Sequence, residues 1–134
     1  NKIGKFDSNS SNLIIAFSND FYKFYYALSL ASTLKATGKD VSIFISGYAC
    51  HFIKKNWQDY DKEGINEKLK KKKMGSIKEM FAYCKELEVE IFYCESAIEF
   101  LNINTKEITN LVSIKPKSMY SILNSYKQGE IIFI

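Results

Sequence analysis

Short, uninterrupted apolar runs, separated by segments with helical periodicity, are the feature that most constrains the fold of this chain. These runs predict strands at residues 12–17, 40–46, 89–94, 111–114 and 130–134. Continuous rather than alternating apolar runs are typical of a parallel sheet covered by helices on both faces. The order βαβαβαβαβ therefore predicts an α/β protein, a three-layer α/β/α sandwich with a mostly parallel five-stranded sheet and right-handed crossovers. The order of the strands within the sheet does not follow from the sequence.

The segments between the strands are predicted helices. The first covers residues 21–37, with N-cap side chains at residues 18–20 before it and Gly38 at its C-terminal end. Others are predicted at residues 48–56, 77–87, 97–101 and 117–126, the last with Pro116 in its first turn, and a capped turn is predicted at residues 106–110. Ligand sites in such sheets lie outside the carboxyl ends of the strands, here residues 18–20, 46–50, 94–96 and 115–118.

Length and composition fit one globular domain over residues 1–134. The chain is 46% hydrophobic and 25% charged, with an unusually high load of ten Phe and nine Tyr. Residues 1–11 are predicted as a polar leader, and residues 57–75 as a long mobile loop.

The net charge of +4 owes much to the lysines at residues 70–73. Such a run is usually a solvated surface, and without interleaved aromatic or arginine side chains it is poor evidence for a nucleic-acid partner. A second interpretation is that residues 68–73 form a lid or a docking element for an acidic partner. No apolar run is long enough to cross a bilayer, so no membrane partner is expected.

Several common α/β chemistries lack their motifs here. No glycine-rich phosphate loop follows the first strand, and a Ser-His-Asp hydrolase would need His51 as its base without a G-x-S-x-G elbow. One His and three widely spaced Cys give no metal-ligand pattern, so neither metal nor organic cofactor is expected. The odd number of cysteines favours a reducing compartment, and a cytoplasmic location is expected.

Cys94 is the best candidate for chemistry. It ends the third predicted strand, where the sequence predicts exposure at the edge of the sheet, and a helix is predicted to begin just after it. Backbone N–H groups at a helix start favour the thiolate, which is the nucleophilic form of cysteine, and Ser96 could donate a further hydrogen bond. The alternative is that Cys94 is a small buried apolar side chain.

The remaining cysteines and the histidine are weaker candidates. Cys50 follows the second strand and could approach the same edge as Cys94, with His51 beside it as a candidate base or hydrogen-bond donor. A histidine adjacent to a cysteine in sequence is more often an exposed bystander. Cys84 shares the apolar face of the helix at residues 77–87 and is predicted to lie in the core.

Four stretches carry a resemblance to a known family: residues 13–15, residues 27–45 with the pattern G-K-D-V-x-I-F, the run Ile91 to Ala97 with Cys94, and residues 131–134. Together they resemble the DsrE/DsrF-like family, which includes the TusD sulfur-relay proteins. In that family a cysteine at the position of Cys94 accepts sulfane sulfur as a persulfide and hands it to a partner protein. A related branch has Cys-x-x-Ser-Met where this chain has Cys94-Glu95-Ser96-Ala97-Ile98.

The resemblance implies a sulfur carrier or sulfurtransferase-like protein, with Cys94 as the acceptor and Ser96, Cys50 and His51 as supporting candidates. It also implies a homo-oligomer, a trimer or hexamer, or an assembly with related subunits, together with sulfur donor and acceptor proteins. Surface aromatics such as Phe21, Tyr22, Tyr25 and Tyr26 would mediate the assembly. The alternative function is a non-catalytic subunit or a small-ligand binding module of the same fold, in which the Cys94 thiol is incidental.

Overall fold

A computed structural model describes residues 11–126 and 129–134 of the chain. One sheet contains β1 (Ser11–Ala16), β2 (Asp40–Ile45), β3 (Glu90–Cys94), β4 (Ile114–Lys117) and β5 (Glu130–Phe133). Every strand pair is parallel, in the order β4-β3-β2-β1-β5. The predicted α/β class is confirmed. Of the predicted leader, Ser11 belongs to β1 and residues 1–10 lie outside the described residues.

Helices cover both faces of this sheet. They are α1 (Phe21–Ala36), α2 (Ile65–Lys71), α3 (Ile77–Glu86), α4 (Glu95–Phe100) and α5 (Met119–Asn124), joined by 3₁₀ segments at Gly47–Ile53, Trp57–Tyr60 and Thr105–Glu107. Strands β1 to β4 are added in one direction and β5 in the other, so right-handed crossovers put α5 on the face opposite α1 and α3. Just beyond α5, burial raises the pKa of the Tyr126 hydroxyl, and the side chain of Ser42 in β2 offsets part of this rise.

The central strands are buried because helices cover both of their faces. Leu13, Ile14, Ile43 and Ile45 are fully buried, as the continuous apolar runs predicted. An aromatic cluster joins the helices to the 3₁₀ segments: the ring of Phe24 packs on Phe52 and on Phe81, with centroids 5.4 and 6.1 Å away.

Helix α1 forms as its sequence predicted, at Phe21–Ala36. The Asp20 carboxylate accepts a hydrogen bond from the Lys23 N–H, and Gly38 adopts a φ of +90° beyond the C-terminus. The aromatic residues of α1 divide differently from the prediction. Phe21 and Tyr25 belong to the core, because Phe21 stacks on Trp57 and the Tyr25 hydroxyl donates to the carbonyl of Met74, whereas Tyr22 and Tyr26 are exposed.

The prediction of a loop at residues 57–75 is wrong about secondary structure. The segment contains the 3₁₀ turn Trp57–Tyr60 and helix α2. The Asp61 carboxylate accepts from the N–H groups of Ile65 and Asn66, which satisfies the start of α2, and Leu69 is buried. The Asn66 side chain then accepts from the N–H of Ile77, which ties α2 to α3.

Three elements in the rest of the chain also differ from the prediction. The helix predicted at residues 48–56 is the 3₁₀ segment Gly47–Ile53. The fourth strand lies at Ile114–Lys117 rather than at residues 111–114, so Pro116 is inside β4 and α5 begins only at Met119. An edge strand tolerates a proline, because one side of its backbone has no strand to bond, and β4 is an edge of the sheet.

Candidate functional site at the carboxyl end of the third strand

Cys94 ends β3 and directly precedes α4, as predicted, but its predicted exposure is wrong. The residue is only 2% exposed. Strand β3 lies between β4 and β2, and the segment Gly47–Ile53, which contains Cys50 beside Cys94, packs against α4. Cys94 therefore sits in a covered position at the carboxyl end of the sheet.

Hydrogen-bond donors surround the sulfur of Cys94. The Ser96 hydroxyl lies 3.2 Å from Sγ. Burial alone would raise the pKa of the Cys94 thiol, but hydrogen bonds from the Ser96 hydroxyl, the Ala97 N–H, the Ser46 hydroxyl and the Ser96 N–H together lower its pKa below the usual value. Because these donors stabilise the anion, the site favours a thiolate in spite of its burial.

Cys50 lies beside Cys94, but in a different chemical state. Its thiol is fully buried, and Sγ contacts the Ile45 carbonyl oxygen at 3.6 Å. The N–H of Ser46 bonds β1, so the Ile45 carbonyl in the same peptide group points to β3, next to the backbone of Cys94. Burial, followed by the nearby Cys94 charge, raises the pKa of Cys50 to about 12, so this thiol stays protonated.

His51 belongs to another part of the surface. Its ring stacks on Tyr60, with centroids 4.2 Å apart. Both rings line a cleft of about 860 Å³, together with residues that include Ser18. Burial, and then the charge of Lys54, lower the pKa of His51, so the ring is neutral at neutral pH, and its buried Nδ1 has no hydrogen-bond partner among the described residues. Among the described residues, no hydrogen bond joins this ring to Cys94.

Cys84 lies in the core, as predicted. It is fully buried in α3, its Sγ contacts the Leu28 carbonyl oxygen at 3.7 Å, and burial raises its pKa to about 12. Ser46 is the residue that sequence reasoning missed. Its place at the end of β2 was known, but its effect on the pKa of Cys94 depends on β2 and β3 being neighbours, which only the strand order reveals.

Other kinds of site find little support. Residues 11–126 and 129–134 contain no group of three or more His, Cys, Asp or Glu side chains placed to hold a metal ion. In the same ranges, no helix is long and apolar enough to cross a membrane. Around the lysine run, Lys70 forms an exposed ion pair with Glu67 at 3.4 Å, which is typical of a solvated helix face.

A sequence model that describes the DsrE/DsrF-like family matches residues 13–133 of this chain. The chain belongs to the DsrE/DsrF-like family. Curated protein sequences give no match. The family assignment therefore agrees with the resemblance in the four stretches that include Cys94.

Solved structures support the same fold. The ychN protein from E. coli is 13% identical, with a TM-score of 0.69 over 93% of this chain and 99% of that protein. The conserved protein BT1422 from Bacteroides thetaiotaomicron is 16% identical, with a TM-score of 0.67 over 96% and 97%. MTH1491 from Methanobacterium thermoautotrophicum is 8% identical, with a TM-score of 0.64 over 94% and 100%. At these identities the similarity establishes the fold alone.

Proposed function

We propose that this protein carries sulfane sulfur as a persulfide on Cys94 and passes it to a partner protein. The observation that carries the proposal is the set of hydrogen bonds from Ser96, Ser46 and the backbone, which lowers the pKa of the Cys94 thiol. The thiolate is the attacking species in sulfur exchange. Membership of the DsrE/DsrF-like family supports a role of the sulfur-relay type.

The reaction is a pair of sulfur exchanges. The Cys94 thiolate attacks the outer sulfur of a donor persulfide, R–S–SH; a new S–S bond forms on Cys94, the donor S–S bond breaks, and R–S⁻ leaves. In the second exchange, a thiolate of the acceptor attacks the outer sulfur of Cys94–S–SH, takes it as a persulfide, and releases the Cys94 thiolate. Each exchange conserves electrons, so neither needs a cofactor.

The surrounding residues have distinct roles in this proposal. The hydroxyls of Ser96 and Ser46 stabilise Cys94 whenever it is anionic, both before the first exchange and as the leaving group of the second. Cys50 remains a protonated neighbour because its pKa is about 12, so it does not compete for the incoming sulfur. His51 receives no role, since its contacts lie in the separate cleft with Tyr60.

Burial of Cys94 adds a requirement for movement. A side chain that is 2% exposed cannot meet a donor persulfide unless its cover shifts. The cover is the segment Gly47–Ile53, which packs against α4. We propose that donor and acceptor proteins displace this segment when they dock, and that subunits of the same family assemble around the site. Exposed lysines of α2, such as Lys70, would attract an acidic partner.

Intact-mass analysis after exposure to polysulfide tests the proposal. We expect one added sulfur atom on the parent protein, removed by a reductant, and none on Cys94→Ala. Cys84→Ala is the matched control, because it removes a thiol of pKa about 12 that lies in the core, and it should gain the sulfur as the parent does. Equal sulfur loading of Cys94→Ala and the parent would refute the proposal.

A second candidate function is that of a non-catalytic subunit or a small-ligand binding module. The observation that favours it is the 2% exposure of Cys94, which suits a structural residue better than a reactive one. Under this function, the parent protein would take up no sulfur in the mass experiment while keeping its native fold and thermal unfolding.

A further inference from the structure

A cleft lies at the point in the sheet where the order of strand addition reverses. The chain adds β2, β3 and β4 on one side of β1, and then returns to place β5 on the other side. In open α/β sheets, ligands bind outside the carboxyl ends of strands at such a switch point. The cleft at the carboxyl ends of β1 and β5 has a volume of about 580 Å³, which falls in the range of roughly 300–1,000 Å³ typical of small-molecule sites.

Three aromatic rings line this cleft and remain partly open to solvent. Phe17, Tyr48 and Phe133 are 41%, 46% and 67% exposed. The ring of Phe17 lies between the other two, edge-on to Tyr48 at 6.2 Å and tilted against Phe133 at 5.8 Å. Large apolar side chains that share one concave surface mark binding sites more often than scattered ones do.

The backbone fixes these rings in place. The N–H of Phe17 donates to the carbonyl of Ile134 at 2.8 Å, which ties the end of β1 to the end of β5. Gly47 adopts a φ of +50°, and a Cβ at this position would lie 2.3 Å from the Phe17 ring. Glycine is thus required for the ring to occupy its position, so the aromatic wall is built into the strand ends rather than formed by loose side chains.

The polar part of the lining favours a negatively charged group. Ser18, Asn19, Lys23 and the apolar Ile134 line the cleft together with the rings, and Lys23 is the only charged side chain in this lining. The nearby Asp20 carboxylate is used as the N-cap of α1 and lines the neighbouring cleft that contains His51. Lys23 makes no ion pair within the described residues, so its charge is available to a ligand.

The exposed area decides between a second protein chain and a small ligand. With Tyr26, four aromatic side chains line the cleft, and at about half exposure each offers on the order of 100 Å². The total, about 400 Å², is half of the roughly 800 Å² per partner that a standard interface buries. Because the rings offer only half of the area that one side of such an interface buries, the cleft suits a small molecule held among them better than it suits a second copy of the chain.

We propose that the cleft between the ends of β1 and β5 binds a small molecule that combines a planar aromatic ring with an anionic group. The ring packs against Phe17, Phe133 and Tyr48, and the anion contacts Lys23. This site is independent of the sulfur chemistry, because neither Cys94 nor the serines that contact its sulfur line the cleft.

Titrations of the whole protein followed by ¹⁵N–¹H spectra test this site, with adenosine 5′-monophosphate and 1-naphthyl phosphate as probes. Adenosine lacks the anion and ribose 5-phosphate lacks the ring. We expect at least one of the two complete probes to shift the signals of Phe17, Tyr48 and Phe133. If adenosine 5′-monophosphate binds, adenosine and ribose 5-phosphate should each bind at least about fivefold more weakly than it does.

Two substitutions with matched controls locate the binding. Phe133→Ala should weaken the binding of the active probe about fivefold or more, and Lys23→Ala should weaken it severalfold, with the loss shrinking at high salt. Tyr120→Ala and Lys39→Ala, which change an exposed aromatic and an exposed lysine outside the cleft, should leave affinity within about twofold. The proposal is overturned if neither complete probe binds, if the shifts map elsewhere, or if Phe133→Ala binds like the parent.

Discussion

At the scale of single residues, the three cysteines show how much environment decides chemistry. All three are buried, yet burial raises the pKa of Cys50 and Cys84 to about 12, while hydrogen bonds lower that of Cys94. Sequence periodicity was enough to assign Cys84 to the core. The strand-end position of Cys94 and its contact with Ser96 were also predictable, because both are local in sequence. The effect of Ser46 on the pKa of Cys94 was not, because it acts between two strands that the sequence does not pair.

We expect the rate of Cys94 alkylation by iodoacetamide to rise with pH with a midpoint below that of an unperturbed thiol, because hydrogen bonds lower the pKa of Cys94. Ser96→Ala should move the midpoint upwards, because it removes a hydrogen bond that stabilises the thiolate and so leaves less thiolate at neutral pH. Peptide mapping by mass spectrometry gives the rate for each cysteine separately. The midpoint is the quantity to compare, since opening of the cover affects the rate at every pH.

Ser113→Ala is the control for this substitution, because Ser113 is an exposed serine outside the site. Cys50 and Cys84 should remain unlabelled over the same pH range in the folded protein. An identical midpoint for Ser96→Ala and the parent would show that the serine does not tune Cys94.

At the scale of elements, apolar periodicity and capping side chains placed β1, β2, β3, β5 and α1 within one residue of their observed bounds. The fourth strand was placed three residues too early and α2 was missed, each for a different reason. Helix α2 lies in a polar stretch, and its start depends on the Asp61 carboxylate, which looks like any exposed acid in the sequence. Pro116 suggested a helix start, and only the position of β4 at the edge of the sheet explains its place in a strand.

Asp61→Ala should therefore loosen α2. The substitution leaves the N–H groups of Ile65 and Asn66 without their acceptor, and we expect the free energy of unfolding to fall by about 1–2 kcal/mol. Hydrogen exchange should become faster across Ile65–Lys71. Asp59→Ala is the matched control, because its carboxylate bonds only an exposed Asn56 side chain, and it should cost less than about 0.5 kcal/mol. Unchanged exchange of α2 in Asp61→Ala would contradict this account.

At the scale of the whole molecule, the strand order is what the sequence could not supply. A continuous apolar run indicates that a strand is buried. It does not indicate which strand lies beside it, because every buried strand presents similar side chains. The return of the chain to place β5 beside β1 creates both the position of α5 and the cleft at Phe17 and Phe133. The candidate site at Cys94 was therefore visible in the sequence, and the proposed cleft was not.

The placement of β5 depends on Gly129. A Cβ at this position would lie 1.9 Å from the carbonyl oxygen of Ser11, a backbone atom of β1 that cannot move aside alone. Gly129→Ala should push β5 away from β1 and lower the free energy of unfolding by about 2 kcal/mol, with faster hydrogen exchange in Glu130–Phe133. Gly38→Ala is a control with a strained φ of +90° but no clash; it should cost about 1 kcal/mol and leave exchange in β5 unchanged.

The same variant separates the two proposed sites. Because β5 carries Phe133, Gly129→Ala should weaken ligand binding in the switch-point cleft. Sulfur loading at Cys94 should persist, because β1 and β2 stand between β5 and β3 and keep their own pairing. Intact-mass analysis and the ligand titration on one preparation of Gly129→Ala measure both effects. Loss of both activities in a protein that still folds would mean that the cleft and Cys94 form one coupled site rather than two.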